Sequence, residues 1–154
     1  MADDAVIERF RAFLRERSLP VTSQRLTIAG LLLNAPGHLS AEDVASLVRD
    51  TGHTAGLATV YRTIDLLVES GLVVARDFGE GFRRFEPARD VPRHEHLLCS
   101  VCGAVEEFRD DRIDEITRDI AAARGFSRER HRLVIHGVCR ACQRKAPAID
   151  RRLS

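Results

Sequence analysis

The chain has 154 residues, of which 44% are hydrophobic and 31% are charged, and its formal net charge is +1. These proportions are typical of a folded globular protein and exclude a disordered chain, and the length suits one domain or two small ones. No apolar run approaches the roughly 18 residues of a membrane helix, and the acidic N-terminus lacks the apolar core of a signal peptide, so we expect a cytoplasmic protein.

Helices dominate the prediction for the first 50 residues. Apolar residues at helical spacing predict a first helix over residues 6–14 and a second one that Thr22 can cap and that ends near residues 36–37. Ser40 followed by Asp43 matches a capping box in which Asp replaces the usual Glu, and it predicts the start of a short third helix.

A fourth helix is predicted over residues 56–70, in the sequence GLATVYRTIDLLVES. One of its faces is apolar and the other is polar, so we expect it to pack on one side only. Gly71 follows as a stop signal. The residues predicted to face outward are Ala58, Thr59, Arg62 and Thr63, and the apolar stripe consists of Leu57, Val60, Tyr61, Ile64, Leu67 and Val68.

A β-hairpin is predicted next, with its turn at residues 79–81. Helices that close on such a two-stranded wing are typical of a winged helix-turn-helix, so we predict a DNA-binding domain over residues 1–87. The fourth helix would then be the recognition helix. Its small side chains, Ala58 and Thr59, can touch thymine methyl groups, and Arg62 can reach a guanine or a phosphate.

If this domain binds DNA, its positive charge must be concentrated in a local patch. Residues 1–88 contain 10 arginines and 12 acidic residues, so the domain as a whole does not attract DNA. We expect a basic patch drawn from Arg11, Arg15, Arg25, Arg62 and either Arg83 or Arg84.

The sequence pattern changes after a polar segment, residues 88–93, which we interpret as a hinge. Strands at about 94–108 and 131–138 flank a helix at about 111–124, and the polar tail after Cys142 is expected to fray. The whole chain is therefore predicted to be α+β, with an α/β domain over residues 94–154. The predicted helix carries one apolar stripe, made of Ile113, Ile116, Ile120 and Ala123.

The cysteines form two C-x-x-C pairs: Cys99 with Cys102, and Cys139 with Cys142. Two intervening residues let both thiolates of a pair reach one ion, and four thiolates match a closed, tetrahedral structural Zn²⁺ site. The 36 residues between the pairs contain a predicted helix and strand, so the ion would hold the C-terminal domain together across its length. The alternative is four free thiols or a redox pair.

Two histidines in the strand that leads to the first cysteine pair indicate a second metal site. Because side chains alternate along a strand, His94 and His96 share one face and Glu95 points to the other. Imidazole and carboxylate ligands suit iron, manganese, zinc or nickel. The spacing does not fix the remaining ligands, for which the candidates are His38, Glu86, Glu106 and Glu107.

Together these motifs resemble the ferric uptake regulator family of bacterial metal-dependent repressors, from about residue 19 to residue 142. The segments that carry the resemblance are TSQR (22–25), HLSAEDV (38–44), GLATVYRTIDLL (56–67), SGLV (70–73), RFE (84–86), HEHLLCSVCG (94–103), VEEF (105–108) and HRLVIHGVCRAC (131–142).

The resemblance implies a homodimer that binds a double-stranded DNA operator and dimerises through its C-terminal domain. It adds Tyr61 and Arg25 as DNA contacts. The ligands that it implies for the regulatory metal are His38, Glu86, His94, His96 and Glu107. A possible third site would use Glu95, Asp114 and His131, although the family often has a further histidine at position 93, where this chain has Arg93 and therefore no ligand.

Fe²⁺ is the regulatory ion that we expect. The peroxide-sensing branch of the family usually has Asp at the position of Glu86, and the zinc-sensing branch usually brings a cysteine into the regulatory site. All four cysteines of this chain are already assigned to structural zinc. Mn²⁺ and Zn²⁺ remain open as alternatives, because their ligands can be nearly the same.

Two other classes of protein compete with a regulator. One is a non-haem iron enzyme that would use His94, His96 and Glu86, and the other is a structural zinc protein whose histidines are inert. The predicted recognition helix and the lack of an evident general base or substrate-pocket motif argue against the enzyme. We therefore predict no catalytic residue and no small-molecule substrate.

Overall fold

The structure is a computed structural model, and it describes residues 4–88 and 94–145. The chain divides into two compact units, Met1–Asp90 and Val91–Ser154. Most of the predicted hinge at 88–93, including Arg93, and the tail beyond Lys145 lie outside the described residues. Among the described residues, no helix combines the length and the apolar character needed to cross a membrane.

Four helices and a hairpin make up the N-terminal unit, as the sequence predicts. The elements are α1 (Asp4–Glu16), α2 (Ser23–Asn34), α3 (Ala41–Asp50), α4 (Leu57–Glu69), β1 (Val73–Asp77) and β2 (Arg83–Pro87). Local side-chain chemistry sets several of these boundaries. Thr22 accepts a hydrogen bond from the backbone N–H of Arg25 at the start of α2, and both hydrogen bonds of the predicted capping box join Ser40 and Asp43 at the start of α3. Gly71, with a φ of 71°, lies just beyond the end of α4.

The core of this unit is formed by one side of every helix and closed by the wing. Apolar residues recur at three- and four-residue spacings, so each helix turns one stripe inward. The largest fully buried apolar side chains are Phe10, Leu14, Ile28, Leu32, Val44, Val48, Val60, Ile64, Leu67 and Phe85. Burial of each contributes about 1.5–3 kcal/mol.

The segment before α3 is joined to the wing by a short antiparallel bridge. Leu39 and Phe85 exchange two backbone hydrogen bonds, of 2.9 and 2.7 Å. The bridge brings His38, one residue before Leu39, next to Glu86, one residue after Phe85. Backbone pairing in this unit thus unites two residues that are 48 positions apart in the sequence.

The C-terminal unit contains a three-stranded sheet and two helices. Its elements are β3 (Glu95–Cys99), β4 (Val105–Phe108), α5 (Asp111–Ala123), β5 (Val134–Gly137) and α6 (Arg140–Lys145). The strand order is β4-β3-β5, with β3 antiparallel to β4 and parallel to β5. Helix α6 corrects the expectation that the chain frays directly after Cys142. Its six residues are too polar to give an apolar periodicity, so the sequence pattern did not predict it.

Helix α5 lies where the sequence predicts it, but the described residues do not cover its apolar stripe. No residue of α5 is buried, and Ile116 and Ile120 are 58% and 49% exposed. The helix therefore leaves an apolar surface open, whereas the four helices of the N-terminal unit bury theirs.

Candidate metal centres and nucleic-acid interface

All four cysteines converge in the C-terminal unit. Their sulfur atoms lie within 4.8 Å of one another, and the Sγ atoms of Cys102 and Cys139 are 3.8 Å apart. A tetrahedron of sulfurs at the usual Zn–S distance of about 2.3 Å has edges of about 3.8 Å. None of the four is in a disulfide. The cluster therefore fits a structural Zn²⁺ ion with no open coordination position.

The thiols of the cluster differ in pKa, because their hydrogen-bond partners differ. Hydrogen bonds from the backbone N–H groups of Cys139, Cys102 and Val101 lower the pKa of the Cys99 thiol to about 6. Hydrogen bonds with the neighbouring thiols of Cys102 and Cys139 raise the pKa of Cys142 to about 12. Because four adjacent thiolates repel one another, the fully deprotonated set requires the positive charge of a bound ion.

His38 and Glu86 form a buried pair in the N-terminal unit. The Nε2 atom of His38 lies 2.9 Å from Oε2 of Glu86, and their side chains are only 1% and 9% exposed. Arg76 donates a hydrogen bond of 2.5 Å to the other carboxylate oxygen. Burial alone would raise the pKa of Glu86, but the hydrogen bonds from His38 and Arg76 outweigh it and lower the pKa to about 2. Glu86 is therefore ionised, with His38 and Arg76 as the present partners of its two oxygens.

His94, His96 and Glu107 form a matching set in the C-terminal unit. The two imidazole rings have centroids 4.9 Å apart. Glu107 stands directly opposite His96 in the β3–β4 ladder, so both side chains project from the same face of the sheet. His94 Nε2 lies 3.9 Å from a Glu107 carboxylate oxygen. The other candidate in the same strand, Glu106, pairs with Leu97 and points to the opposite face.

The residues of the possible third site also meet, but an arginine lies among them. Glu95 Oε1 is 2.7 Å from His131 Nε2, and Asp114 Oδ1 is 3.9 Å from His131 Nδ1. The Arg128 guanidinium lies 2.7 Å from both Asp114 Oδ1 and His131 Nδ1, and it lowers the pKa of Asp114. A cation thus already contacts two of the three predicted ligands.

The exposed surface of α4 differs from the prediction at three positions, because Leu57 and Tyr61 of the predicted apolar stripe are 44% and 37% exposed and Thr63 is buried. Ala58, Tyr61 and Arg62 are exposed and Thr59 is partly exposed, but Thr63, which we expected to face outward, is fully buried. Its hydroxyl donates a hydrogen bond of 2.8 Å to the carbonyl of Thr59, so a polar side chain fits inside the core without an unsatisfied group.

Tyr61 has a partner on the neighbouring helix. Its hydroxyl donates a hydrogen bond of 3.0 Å to Glu42, which raises the pKa of the phenol. The contact fixes the direction of the tyrosine ring at the surface of the helix pair α3–α4.

Only part of the predicted basic patch offers uncompensated charge. Arg84 makes two hydrogen bonds to Glu80, of 2.6 and 2.8 Å, and is largely buried, so it does not belong to such a patch. Arg11 contacts Glu8 at 3.0 Å, and Arg83 contacts Asp65 at 3.5 Å. Arg25 donates to the carbonyl of Pro20 and keeps its charge uncompensated by an acidic residue among the described ones.

Three residues that contact the candidate site residues were not predicted from the sequence: Arg76, Arg128 and Glu42. The contact of Arg76 with Glu86 could have been predicted from the hairpin. Arg76 lies two positions along β1 from Val74, which pairs with Glu86. Side chains at such diagonal positions share a face of the sheet. Arg128 precedes β5 in a stretch without regular structure, so no periodicity predicts where its side chain points.

A winged helix-turn-helix, combined with a four-cysteine cluster and histidine–carboxylate sets, is the architecture of a metal-responsive transcription regulator. A profile of the ferric uptake regulator family matches residues 16–136, and the chain belongs to that family.

Individual relatives agree with this assignment. The ferric uptake regulation protein of Bacillus subtilis (strain 168) is 39% identical over 142 residues, which cover 90% of this chain and 95% of the relative. The crystal structure of the Vibrio cholerae ferric uptake regulator has a TM-score of 0.70 and 37% identity, covering 82% of this chain and 96% of that one. A zinc uptake regulator solved in complex with zinc and DNA has a TM-score of 0.56 and 28% identity, covering 92% and 95%.

Proposed function

We propose that this protein is a homodimeric repressor that binds operator DNA when Fe²⁺ occupies a site formed by His38, Glu86, His94, His96 and Glu107. Residues 1–87 would bind DNA, 88–93 would act as the hinge, and 94–154 would dimerise. The observation that carries the proposal is that each unit brings imidazole and carboxylate side chains together, His38 with Glu86 in the first and His94 with Glu107 in the second. We propose no enzymatic activity and a cytoplasmic location, where the operator is accessible.

The surface of α4 supports DNA binding. The exposed Ala58 and the partly exposed Thr59 offer small apolar groups to thymine methyls, and Arg62 can contact a guanine or a phosphate. Arg25 and Tyr61 are proposed as contacts to the DNA backbone. A zinc uptake regulator of similar structure has been solved in complex with zinc and DNA, which supports DNA binding by this chain.

The ligand chemistry supports a divalent ion as the signal. Glu86 and Glu107 supply carboxylates, and His38, His94 and His96 supply imidazoles, which together suit Fe²⁺ or Mn²⁺. An ion bound by ligands from both units favours the arrangements in which the two sets are close. Metal then shifts the population towards one arrangement by the difference in its affinity for the alternatives.

Iron is favoured over zinc by the cysteine count. The four cysteines form the structural cluster, so among the described residues no thiol remains for a zinc-sensing site.

Dimerisation through the C-terminal unit is supported by its open apolar surface. Ile116 and Ile120 on α5 are exposed, and so is Ile135 on β5, which is an edge strand of the described sheet. Apolar side chains and an unpaired strand edge are features that a second copy can cover.

The test is a DNA-binding titration of the zinc-loaded full-length protein, carried out anaerobically by fluorescence anisotropy with the region upstream of its own gene. Fe²⁺, Mn²⁺ and Zn²⁺ are added separately. We expect Fe²⁺ to switch binding on at the lowest free concentration. Equal binding with and without the added metals would overturn the proposal.

Matched variants make the test specific to the site. We expect Glu107→Gln and His96→Ala to lose the response to metal, whereas Glu106→Gln, which changes the neighbouring carboxylate on the opposite face of β4, keeps it. If Glu106→Gln and Glu107→Gln behave alike, the assigned ligand set is wrong.

A further inference from the structure

The cluster of Glu95, Asp114, His131 and Arg128 is not used by the proposed function. It joins three parts of the C-terminal unit, since Glu95 lies on β3, Asp114 lies on α5, and the other two residues lie in the segment before β5. The side chains of Glu95, His131 and Arg128 are only 10%, 12% and 14% exposed. The cluster lines a cavity of about 660 Å³ whose other walls are charged residues of α5 and its flanks.

The hydrogen-bond chemistry of Arg128 determines the state of His131. A guanidinium can only donate, so Nδ1 of His131, 2.7 Å from the Arg128 Nη1 atom, must accept. A neutral imidazole whose Nδ1 accepts carries its proton on Nε2. That proton points at the Glu95 oxygen 2.7 Å away, so both ring nitrogens are engaged and neither lone pair is available to a metal.

Most of the remaining polar atoms also have partners, although the buried Nε of Arg128 has no hydrogen-bond partner among the described residues. Glu95 Oε2 accepts from the backbone N–H of Leu133 at 2.9 Å. Arg128 donates to the hydroxyl of Thr117 at 3.0 Å and contacts Asp114 Oδ1 at 2.7 Å, while Arg118 contacts the other oxygen of Asp114. The two carboxylates therefore already have cationic or N–H partners.

A divalent ion does not fit this arrangement. To bind, it would have to remove the proton from Nε2 of His131 and displace Arg128 from two partners. The displaced guanidinium is largely buried, and leaving a buried charge unpaired is strongly unfavourable.

We propose that the Arg128 guanidinium is the resident cation of this cluster and that the site, which resembles a metal site of the family, takes no metal in this protein. Arg128 contacts α5 through its ion pair with Asp114 and its hydrogen bond to Thr117, and it reaches β3 through His131, which contacts Glu95. Two candidate metal sites then remain among the described residues, the cysteine cluster and the proposed regulatory site.

The first experiment counts metal in the full-length, zinc-loaded protein. A His96→Ala background disables the proposed regulatory site, so that failure of that proposal does not affect the count. Mn²⁺ is added in excess, weakly bound metal is removed by gel filtration, and the ions are quantified by mass spectrometry. We expect zinc alone in this background and one additional Mn²⁺ per subunit when Arg128→Met is introduced.

Arg118→Met is the matched control, since it also removes an arginine from Asp114 but leaves Arg128 in place. We expect it to gain no ion, and we expect His131→Ala to abolish the gain in Arg128→Met. A manganese ion in the Arg128-containing protein that disappears with His131→Ala would overturn the proposal, and so would a folded Arg128→Met protein that gains none.

A second measurement needs no substitution at Arg128. Nitrogen NMR of His131 should report the tautomer protonated at Nε2, and its shifts should not change when excess Zn²⁺ is added to the zinc-loaded protein. A tautomer protonated at Nδ1, or a metal-induced shift of a His131 nitrogen, would refute the assignment.

Discussion

The two units bury their side chains very differently. All of the largest fully buried side chains belong to the N-terminal unit, whereas Leu98 and Cys99 are the only buried apolar residues in the described part of the C-terminal unit. Conversely, seven of the ten large apolar side chains that are exposed in the described chain lie in the C-terminal unit. The N-terminal unit is thus held by its own hydrophobic core, and the C-terminal unit depends on other interactions.

The C-terminal unit instead offers a four-cysteine cluster that can hold a metal ion, an ion-pair network and a surface that a second copy can cover. Small units bury too little apolar area to be stable alone, and structural metals or oligomerisation commonly compensate. The comparison therefore predicts that each unit is destabilised by a different kind of change.

The largest effect should follow from removal of a cysteine ligand. Cys102 is exposed, so Cys102→Ser removes no apolar packing, but the cluster loses an ion whose apparent binding free energy in small zinc domains is about 10–16 kcal/mol. We expect loss of zinc and loss of hydrogen-exchange protection in β3 and β5, with the N-terminal helices still protected. Ser100→Ala, in the same turn, is the control. If zinc-free Cys102→Ser kept its hydrogen-exchange protection in β3 and β5, the C-terminal unit would not depend on zinc for its stability.

A charge on the open face of α5 should have the next largest effect. Ile116→Glu removes about 1.5–3 kcal/mol of apolar burial from each copy in a symmetric dimer, which predicts a dissociation constant raised about 100-fold or more. Sedimentation should detect monomers, while thermal unfolding of the N-terminal unit stays unchanged. Asp119→Ala, on the same helix, should remain dimeric, and a dimeric Ile116→Glu would remove this face from the interface.

A cavity in the N-terminal core should destabilise that unit alone. Phe85 is 1% exposed, and Phe→Ala changes in cores typically cost about 3–5 kcal/mol. Urea unfolding monitored through the N-terminal helices should show this loss in Phe85→Ala with normal zinc content. Phe82 lies in the same wing and is 42% exposed, so Phe82→Ala should lower the free energy of unfolding far less. Equal losses in the two variants would mean that the wing does not close the core.

The smallest effect should be on DNA binding by single residues of α4. We expect Arg62→Ala to weaken operator affinity about tenfold and, if the contact is to phosphate, to lower the salt slope by about 1. Thr63→Val should leave affinity within about twofold, because Thr63 is buried. A comparable loss of operator affinity in Thr63→Val would show that Thr63 contributes to DNA binding and that its assignment to the buried face is wrong.

Local signals in the sequence predicted the elements well, because caps and periodicities act over a few residues. The capping box at Ser40 and the stop at Gly71 are examples. Thr63 was misassigned by its polarity alone: it lies three residues after Val60 and four before Leu67, so its helical position already put it on the buried face.

The ligand residues could be named from the sequence because imidazoles, thiols and carboxylates carry recognisable chemistry. Their arginine partners could not be named, because the direction of a long charged side chain is set by tertiary contacts. Arg128 is the clearest case: it contacts a helix residue 14 positions earlier, Asp114, and no motif marks it.

The parallel pairing of β3 with β5 has a consequence for how the protein is made. Cys99 pairs with Gly137 at one end of this ladder, and the cysteine cluster lies at that same end. Pairing of strands so distant in the sequence is slow, because the intervening loop must close before any contact is gained. Zinc bound by the cluster would perform this closure, so we expect the folding rate of the C-terminal unit to rise with free zinc and that of the mostly helical N-terminal unit not to change. Under the proposed function, a newly synthesised chain would then acquire one metal as part of its maturation before it could respond to another.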